Sequence, residues 1–263
     1  MRLRRLHLPL GIVLAVLVGF YFGARCGYYY QRHLLLFDLP TGQNIKATLG
    51  RVFGFYKRHG QFEQDLWVAF ATAPGKKNGF YVDVGSADGS FFSNTELLDQ
   101  MGWKGICIDP FPTNMQGRTC QIFRQPVFSE SGKKVTFRVA GNLGGIESDL
   151  GLHSKQAEAA GAVELVTATL DEILAKGHAP NYIDFMSIDI EGAEYDALLG
   201  AREMIHRHRP GLAICLYHRP EHLWQIPLLV HSWNLGYRFF LRSHALNGWE
   251  LVLYSMPANP FTQ

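Results

Sequence analysis

Gly79-Phe80-Tyr81-Val82-Asp83-Val84-Gly85-Ser86-Ala87-Asp88-Gly89-Ser90 is the stretch whose reading decides the fold. Residues 80–84 are apolar and β-rich, the pattern of a strand buried on both faces. The run opens into a loop with glycines at Gly85 and Gly89, where the backbone can take positive φ or let a ligand come close. A strand, a glycine loop and then a helix form the nucleotide-binding corner of a doubly wound α/β sheet. Here the acid precedes the first glycine and the glycines stand four apart. That differs from the Gly-x-Gly-x-x-Gly dinucleotide pattern and suits an adenosine ligand carrying an amino acid better than a pyrophosphate.

Working outward, strands are expected at 105–108, 121–127, 183–188 and 212–216, with helices at 63–71, 94–101 and 170–175 between them. A helix beginning at Ala193 places acids first (Glu194, Asp196) and His206, Arg207 and His208 last, which suits its dipole, and Pro210 stops it. A further helix after Pro220 is expected to bend or break at Pro227. Segments 237–241 and 250–254, joined through Asn247-Gly248, read as a closing hairpin. Residues 133–169 read as an insertion holding strands 134–139 and 164–169 around a glycine-rich loop, 141–151. The fold class is therefore α/β, a doubly wound sheet with an antiparallel last strand.

The 263 residues suffice for one such domain and a short appendage. A net charge of +2 leaves no polyanion footprint, so nucleic acid is not an expected partner. Residues 1–37 nevertheless contain Arg2, Arg4, Arg5, Arg25 and Arg32 and no acid. Arg5 and Arg25 bracket the apolar run 6–24, about 28 Å as a helix and close to the ~30 Å hydrocarbon thickness. The reading is an uncleaved single-pass anchor, 1–26, followed by an aromatic and basic juxtamembrane segment, 27–59. Signal peptide and mitochondrial presequence are the competing readings. A bacterial inner membrane, an endomembrane and a mitochondrial inner membrane all remain open as locations. The domain then occupies 60–257, with a tail at 258–263. Cys26, Cys107, Cys120 and Cys215 show no Cys-x-x-Cys spacing, so reduced thiols are expected, with neither a disulfide framework nor a zinc site.

Ligands bind beyond the carboxyl ends of parallel strands in such sheets. Standing there are Asp83, Gly85 and the loop Ser86, Asp88, Gly89; then Asp109, Asp189, Glu191, Tyr217 and His218. Asp109, ending the second strand, is placed to accept from both ribose hydroxyls, or else to cap a turn before Pro110. Asp189 and Glu191, two apart, would face one way in extended backbone. They could act as base and orienting group, or as a weak divalent site; Glu191 could instead cap the next helix. A neutral His218 could take a proton from a substrate hydroxyl. No metal is required by this set. Loop 141–151 would cover the acceptor pocket.

Several segments in order carry a resemblance. Residues 80–89, Ser93-Asn94-Thr95, 102–110, Asp184-Phe185-Met186-Ser187-Ile188-Asp189-Ile190-Glu191-Gly192 and Tyr217-His218-Arg219-Pro220-Glu221-His222-Leu223-Trp224 resemble the FkbM-type methyltransferases, as does the opening Gln64-Asp65-Leu66-Trp67. The likeness runs from about residue 60 to 256 and leaves the N-terminal segment outside it. It implies a class I methyltransferase fold, S-adenosylmethionine as cofactor, and O-methylation of hydroxyls on sugars, glycans or related metabolites. Asp83, Gly85, Ser86, Asp88, Gly89 and Asp109 are then expected at the cofactor, and Asp189, Glu191 and His218 at catalysis. Strand two ends in Asp109 where that family often has glutamate; either carboxylate can accept two hydroxyls. The rival expectation is a non-catalytic methyltransferase-like subunit of a membrane complex, with partner subunits.

Overall fold

The computed structural model describes residues 60, 65, 68, 76–151, 157, 159–243 and 250–257. The expected anchor 1–26, segment 27–59 and tail 258–263 lie outside the described residues, as does helix 63–71 apart from Asp65 and Val68. Among the described residues no helix is long and apolar enough to cross a membrane.

Seven strands form the main sheet: β1 (Phe80–Val84), β2 (Lys104–Ile108), β3 (Gln121–Phe123), β7 (Phe185–Ile188), β8 (Gly211–Cys215), β9 (Tyr237–Ser243) and β10 (Leu251–Pro257). Their spatial order is β3-β2-β1-β7-β8-β10-β9. β1 pairs in parallel with both β2 and β7, so Val82 faces Ile106 on one side and Met186 on the other. The chain order reverses between β1 and β7, and the crevice of a doubly wound sheet opens at such a point. Residues Tyr81 to Val84 are all buried, which explains the near-continuous apolar run. Val82, Ile106 and Met186 are each no more than 1% exposed, and each such side chain contributes about 1.5–3 kcal/mol by leaving water. β10 runs antiparallel between β8 and β9, the expected closing hairpin.

The insertion is a separate antiparallel sheet, β5-β4-β6, of β4 (Lys134–Arg138), β5 (Gly145–Ile146) and β6 (Ala162–Val166). β4 and β6 fall near their expected places, and the glycine-rich loop contains a 3-10 turn at Gly141–Leu143 before β5.

Four expectations change. β3 stops at Phe123 instead of 127: Pro126 has no N–H to donate, and Val127 bridges Ala168 instead. After α1 (Glu96–Gln100) and α2 (Leu170–Lys176), the single helix expected from Ala193 is two helices, α3 (Glu194–Leu199) and α4 (Arg202–His208). Gly200 turns the chain between them because its carbonyl accepts from Asp171 N, while the Asp171 carboxylate accepts from Glu203 N and Met204 N. Asp171 sits in α2 (Leu170–Lys176), so one helix supplies the cap of another, which no local pattern contains. The helix α5 (His222–Ser232) runs unbroken through Pro227. The missing hydrogen bond falls on Leu223, a 47% exposed residue whose carbonyl water can reach.

The fourth change is covalent. Cys107 and Cys120 form a disulfide, with Cα atoms 5.7 Å apart, against the expectation of reduced thiols. Parallel pairing sets Cys107 opposite Ile122, and this brings Cys120 within bonding distance. Cys215 stays a buried free thiol, as expected for a small apolar group in a core strand.

Candidate functional site

At the end of β1 the chain passes so close to the end of β7 that a Cβ on Gly85 would lie 1.8 Å from the Asp189 carbonyl oxygen. Gly85 also has φ +87°, so only glycine fits there. Its N–H and that of Ser86 donate to the Ile108 carbonyl at 2.8 and 3.2 Å. The loop after β1 is then zipped to the loop after β2. Asp109 Oδ2 accepts from Ala87 N at 3.1 Å and Oδ1 from Phe111 N at 2.7 Å, and Thr113 N donates to Ala87 O. Each Asp109 oxygen keeps a lone pair for a further donor. Burial pushes this carboxyl above its ordinary value, against its two backbone donors and Arg124.

Asp83 is 2% exposed and accepts from Thr95 Oγ1 at 2.6 Å. Burial raises it, opposed by Arg118. Arg118 had no place in the sequence reading, yet it holds this end together. Its guanidinium donates to Asp99, the Gly89 carbonyl, Ser93 Oγ, Tyr81 Oη and Thr95 Oγ1. A surface lysine or arginine has the same sequence signature, and only the tertiary contacts distinguish this one.

Two expected cofactor residues have local duties. Asp88 Oδ1 accepts from Ser90 N and Phe91 N, and Oδ2 from Thr113 and Asn114. Against slight burial, these donors hold its carboxyl below the usual range. Gly89 packs against Met115 and Asn114, where a Cβ would lie 2.6 Å from Met115 Sδ.

A cavity of about 210 Å³ opens over these strand ends. Asp83, Gly85, Ser86, Asp88, Asp109, Asp189 and Glu191 all line it; Gly89 and His218 do not. Ser86 Oγ and Asn94 Oδ1 lie in its wall, buried and without a hydrogen-bond partner. Phe137, Leu143, Gly144 and Ile146 bring the inserted sheet and its loop over it, the cover expected for 141–151.

The other end is assembled from three distant segments. Glu191 is not extended, as the two-apart spacing had implied. It sits at φ +57°, followed by Gly192 at +122°, a conformation a glutamate adopts only when its surroundings enforce it. The enforcing group is Glu194, fully buried, whose Oε1 accepts from Ile190 N (3.0 Å) and Gly192 N (3.2 Å). The same oxygen is 2.7 Å from His218 Nδ1, and Oε2 is 3.1 Å from His222 Nδ1. His218 Nε2 lies 3.5 Å from Asp189 Oδ1 and 3.4 Å from Glu191 Oε1.

His218 is therefore fully buried among three carboxylates rather than open to the pocket as a neutral base. Burial lowers its affinity for a proton, but Glu194 and Glu191 outweigh burial and hold the imidazole protonated well above its ordinary range. Glu194, correspondingly, stays far below the usual carboxylate range despite its burial, held there by His218 and His222. Asp189, Glu194 and His218 offer ligand atoms within 4.8 Å of one another. In this structure the same atoms pair with one another.

Asp189 does line the cavity, and burial pushes its carboxyl up to about 6, opposed by His218. Beside it are Tyr217, expected with His218 after β8, and Glu250, which sequence reasoning missed. Glu250 has φ +57° and accepts from the Tyr217 hydroxyl; burial first, then Asp189, raises it to about 7. It stands just before β10, and the antiparallel insertion of that strand beside β8 brings it here.

The family model for the methyltransferase FkbM domain matches residues 83–239. Among solved structures, the chain is similar to the methyltransferase FkbM from Methylobacillus flagellatus KT, with a TM-score of 0.52 and 18% identity. That similarity covers 88% of this chain and 58% of the other, and at such identity it concerns the fold. No curated protein matches.

Proposed function

Since the chain belongs to the FkbM methyltransferase family, we propose that it transfers the methyl group of S-adenosylmethionine to a hydroxyl of a sugar, a glycan or a related metabolite. The observation that carries this reading is the convergence of Asp83, Gly85, Asp109 and Asp189 on one cavity at the switch point of the sheet. The donor set fits that cofactor. Asp109 has lone pairs left for two ribose hydroxyls, and Ser86 Oγ and Asn94 Oδ1 are buried in the wall without partners. Asp83, buried in the same lining, is a carboxylate suited to a cationic methionine end.

When bound, S-adenosylmethionine would supply an electrophilic methyl, with its sulfur as the leaving group that keeps the S–C bonding pair. This chain's residues align the acceptor oxygen and remove its proton, and such alignment supplies much of the acceleration in a two-reactant transfer. Asp189, raised to about 6, is the base: ionised at neutral pH yet basic enough to accept a proton. His218 and Glu194 act through Asp189 and Glu191 by holding their carboxylates in place. The apolar run 6–24 tethers the enzyme to a membrane in this reading.

Isothermal titration of the full chain with S-adenosylmethionine, wild type against Asp109→Ala, tests the proposal. The variant is expected to bind at least tenfold more weakly, about 1.4 kcal/mol, the scale of lost hydrogen bonds to a charged group. Equal affinities would overturn the ribose role, and no binding by the wild type would overturn the function.

A further inference from the structure

We infer that the unit of the acceptor entering the pocket carries no negative charge, and that Glu250 enforces this selection. The inference rests on the methyl-transfer reading and adds the class of substrate to it. Six carboxylates line the cavity (Asp83, Asp88, Asp109, Asp189, Glu191 and Glu250), and among the described lining residues there is no lysine, arginine or histidine.

Of the described cations nearby, Arg124 acts on Asp109 at the cofactor end, and three others are committed elsewhere. Arg118 lies beneath the glycine loop, bonded to Asp99. Arg219 pairs with Asp149 and Glu221. His218 is buried behind Asp189 and Glu191, with Glu194 on its other nitrogen. S-adenosylmethionine adds one net positive charge, fewer than the three acids of the acceptor end alone. A phosphate, sulfate or carboxylate brought to Asp189 would thus meet like charge with no counter-ion among the described lining residues, and a site rejects a ligand by such juxtaposition.

Neutral polyols meet no such barrier, and ammonium-bearing units gain from it. Phe91 and Phe92, 61% and 48% exposed at the rim, add aromatic faces on which an uncharged ring or a cation can rest. Glu250 is the acid best placed to discriminate. It reaches the acceptor end from a different segment than Asp189 and Glu191, and it accepts from Tyr217, which lines the same cavity.

The full-length protein is incubated at about pH 8 with methyl-tritiated S-adenosylmethionine and an extract of its native cells. Labelled products are digested enzymatically to the methylated unit and separated by charge. Label is expected in neutral and cationic units, with at least a hundredfold less in anionic ones. Label in anionic units, or label released as methanol by mild base (the mark of a carboxylate acceptor), overturns the inference while leaving methyl transfer standing. No label in any fraction overturns methyl transfer and the inference with it. Glu250→Gln, checked for a native circular dichroism spectrum, should raise the anionic share at least tenfold; an unchanged share removes Glu250 from this role.

Discussion

The two ends of the cavity use the same residue type, a buried carboxylate at a strand terminus, in opposite ways. At the cofactor end Asp83 and Asp109 are satisfied by a hydroxyl, backbone N–H groups and the field of Arg118, all within residues 81–118. At the acceptor end Asp189, Glu191, Glu194 and Glu250 crowd round His218, and the segments that meet there are separated by tens of residues. At the first end burial also raises Asp83 and Asp109, but hydrogen-bond donors and nearby arginines oppose it. The second keeps Glu191 and Glu250 in left-handed backbone, and there neighbouring acids add to burial in raising Asp189 and Glu250, which is how a site prepares a group to exchange a proton.

If that contrast is right, Glu194→Gln is the costliest change. Glutamine can still accept from Ile190 N and Gly192 N, so the variant isolates the charge. Glu194 is held below its ordinary 4.5, so its contribution is complete above that value and fades as pH falls further. His218 is held above its ordinary 6.5, so its contribution is complete below that value and fades as pH rises. Between 4.5 and 6.5 both are in full force. Urea unfolding near pH 6 should show a loss of about 3–5 kcal/mol, the scale for breaking a buried pair. A loss below about 1 kcal/mol would mean that the charge cluster is not what holds the acceptor end.

A smaller effect is expected at the other end. The Cys107–Cys120 bond closes a segment that contains both Asp109 and Arg118. Reduction, or Cys120→Ser, should cost about 3 kcal/mol for a loop of this length and weaken S-adenosylmethionine binding in the same samples. Should thermal melts with and without reductant coincide, the Arg118 contacts alone make this end rigid.

The smallest effect sharpens the comparison by its sign. Burial raises Glu250 from 4.5 to about 7, so its ionisation opposes folding: the cost is absent below 4.5, grows between the two values and is complete above 7. Glu250→Gln should therefore raise the melting temperature by about 2 °C at pH 8 and leave it unchanged at pH 4. A decrease at pH 8 would show that Glu250 is a structural acid like Glu194.

How much of this was legible beforehand follows the same division. The strand and glycine loop at 80–89 announce themselves locally, because burial on both faces requires an apolar run and the crossing at Asp189 tolerates only glycine at 85. Asp83, Asp109 and Asp189 were readable for the same reason: the carboxyl ends of parallel strands converge, whatever the packing around them. Arg118, Glu250 and the disulfide were not readable, since their partners come from other strands. Those meetings depend on the order of strands in the sheet, which no local pattern encodes. His218 shows the limit most directly. Its position after β8 was evident from the chain, but whether it is a neutral base or a buried cation depends on how many carboxylates surround it, and tertiary packing alone decides that count.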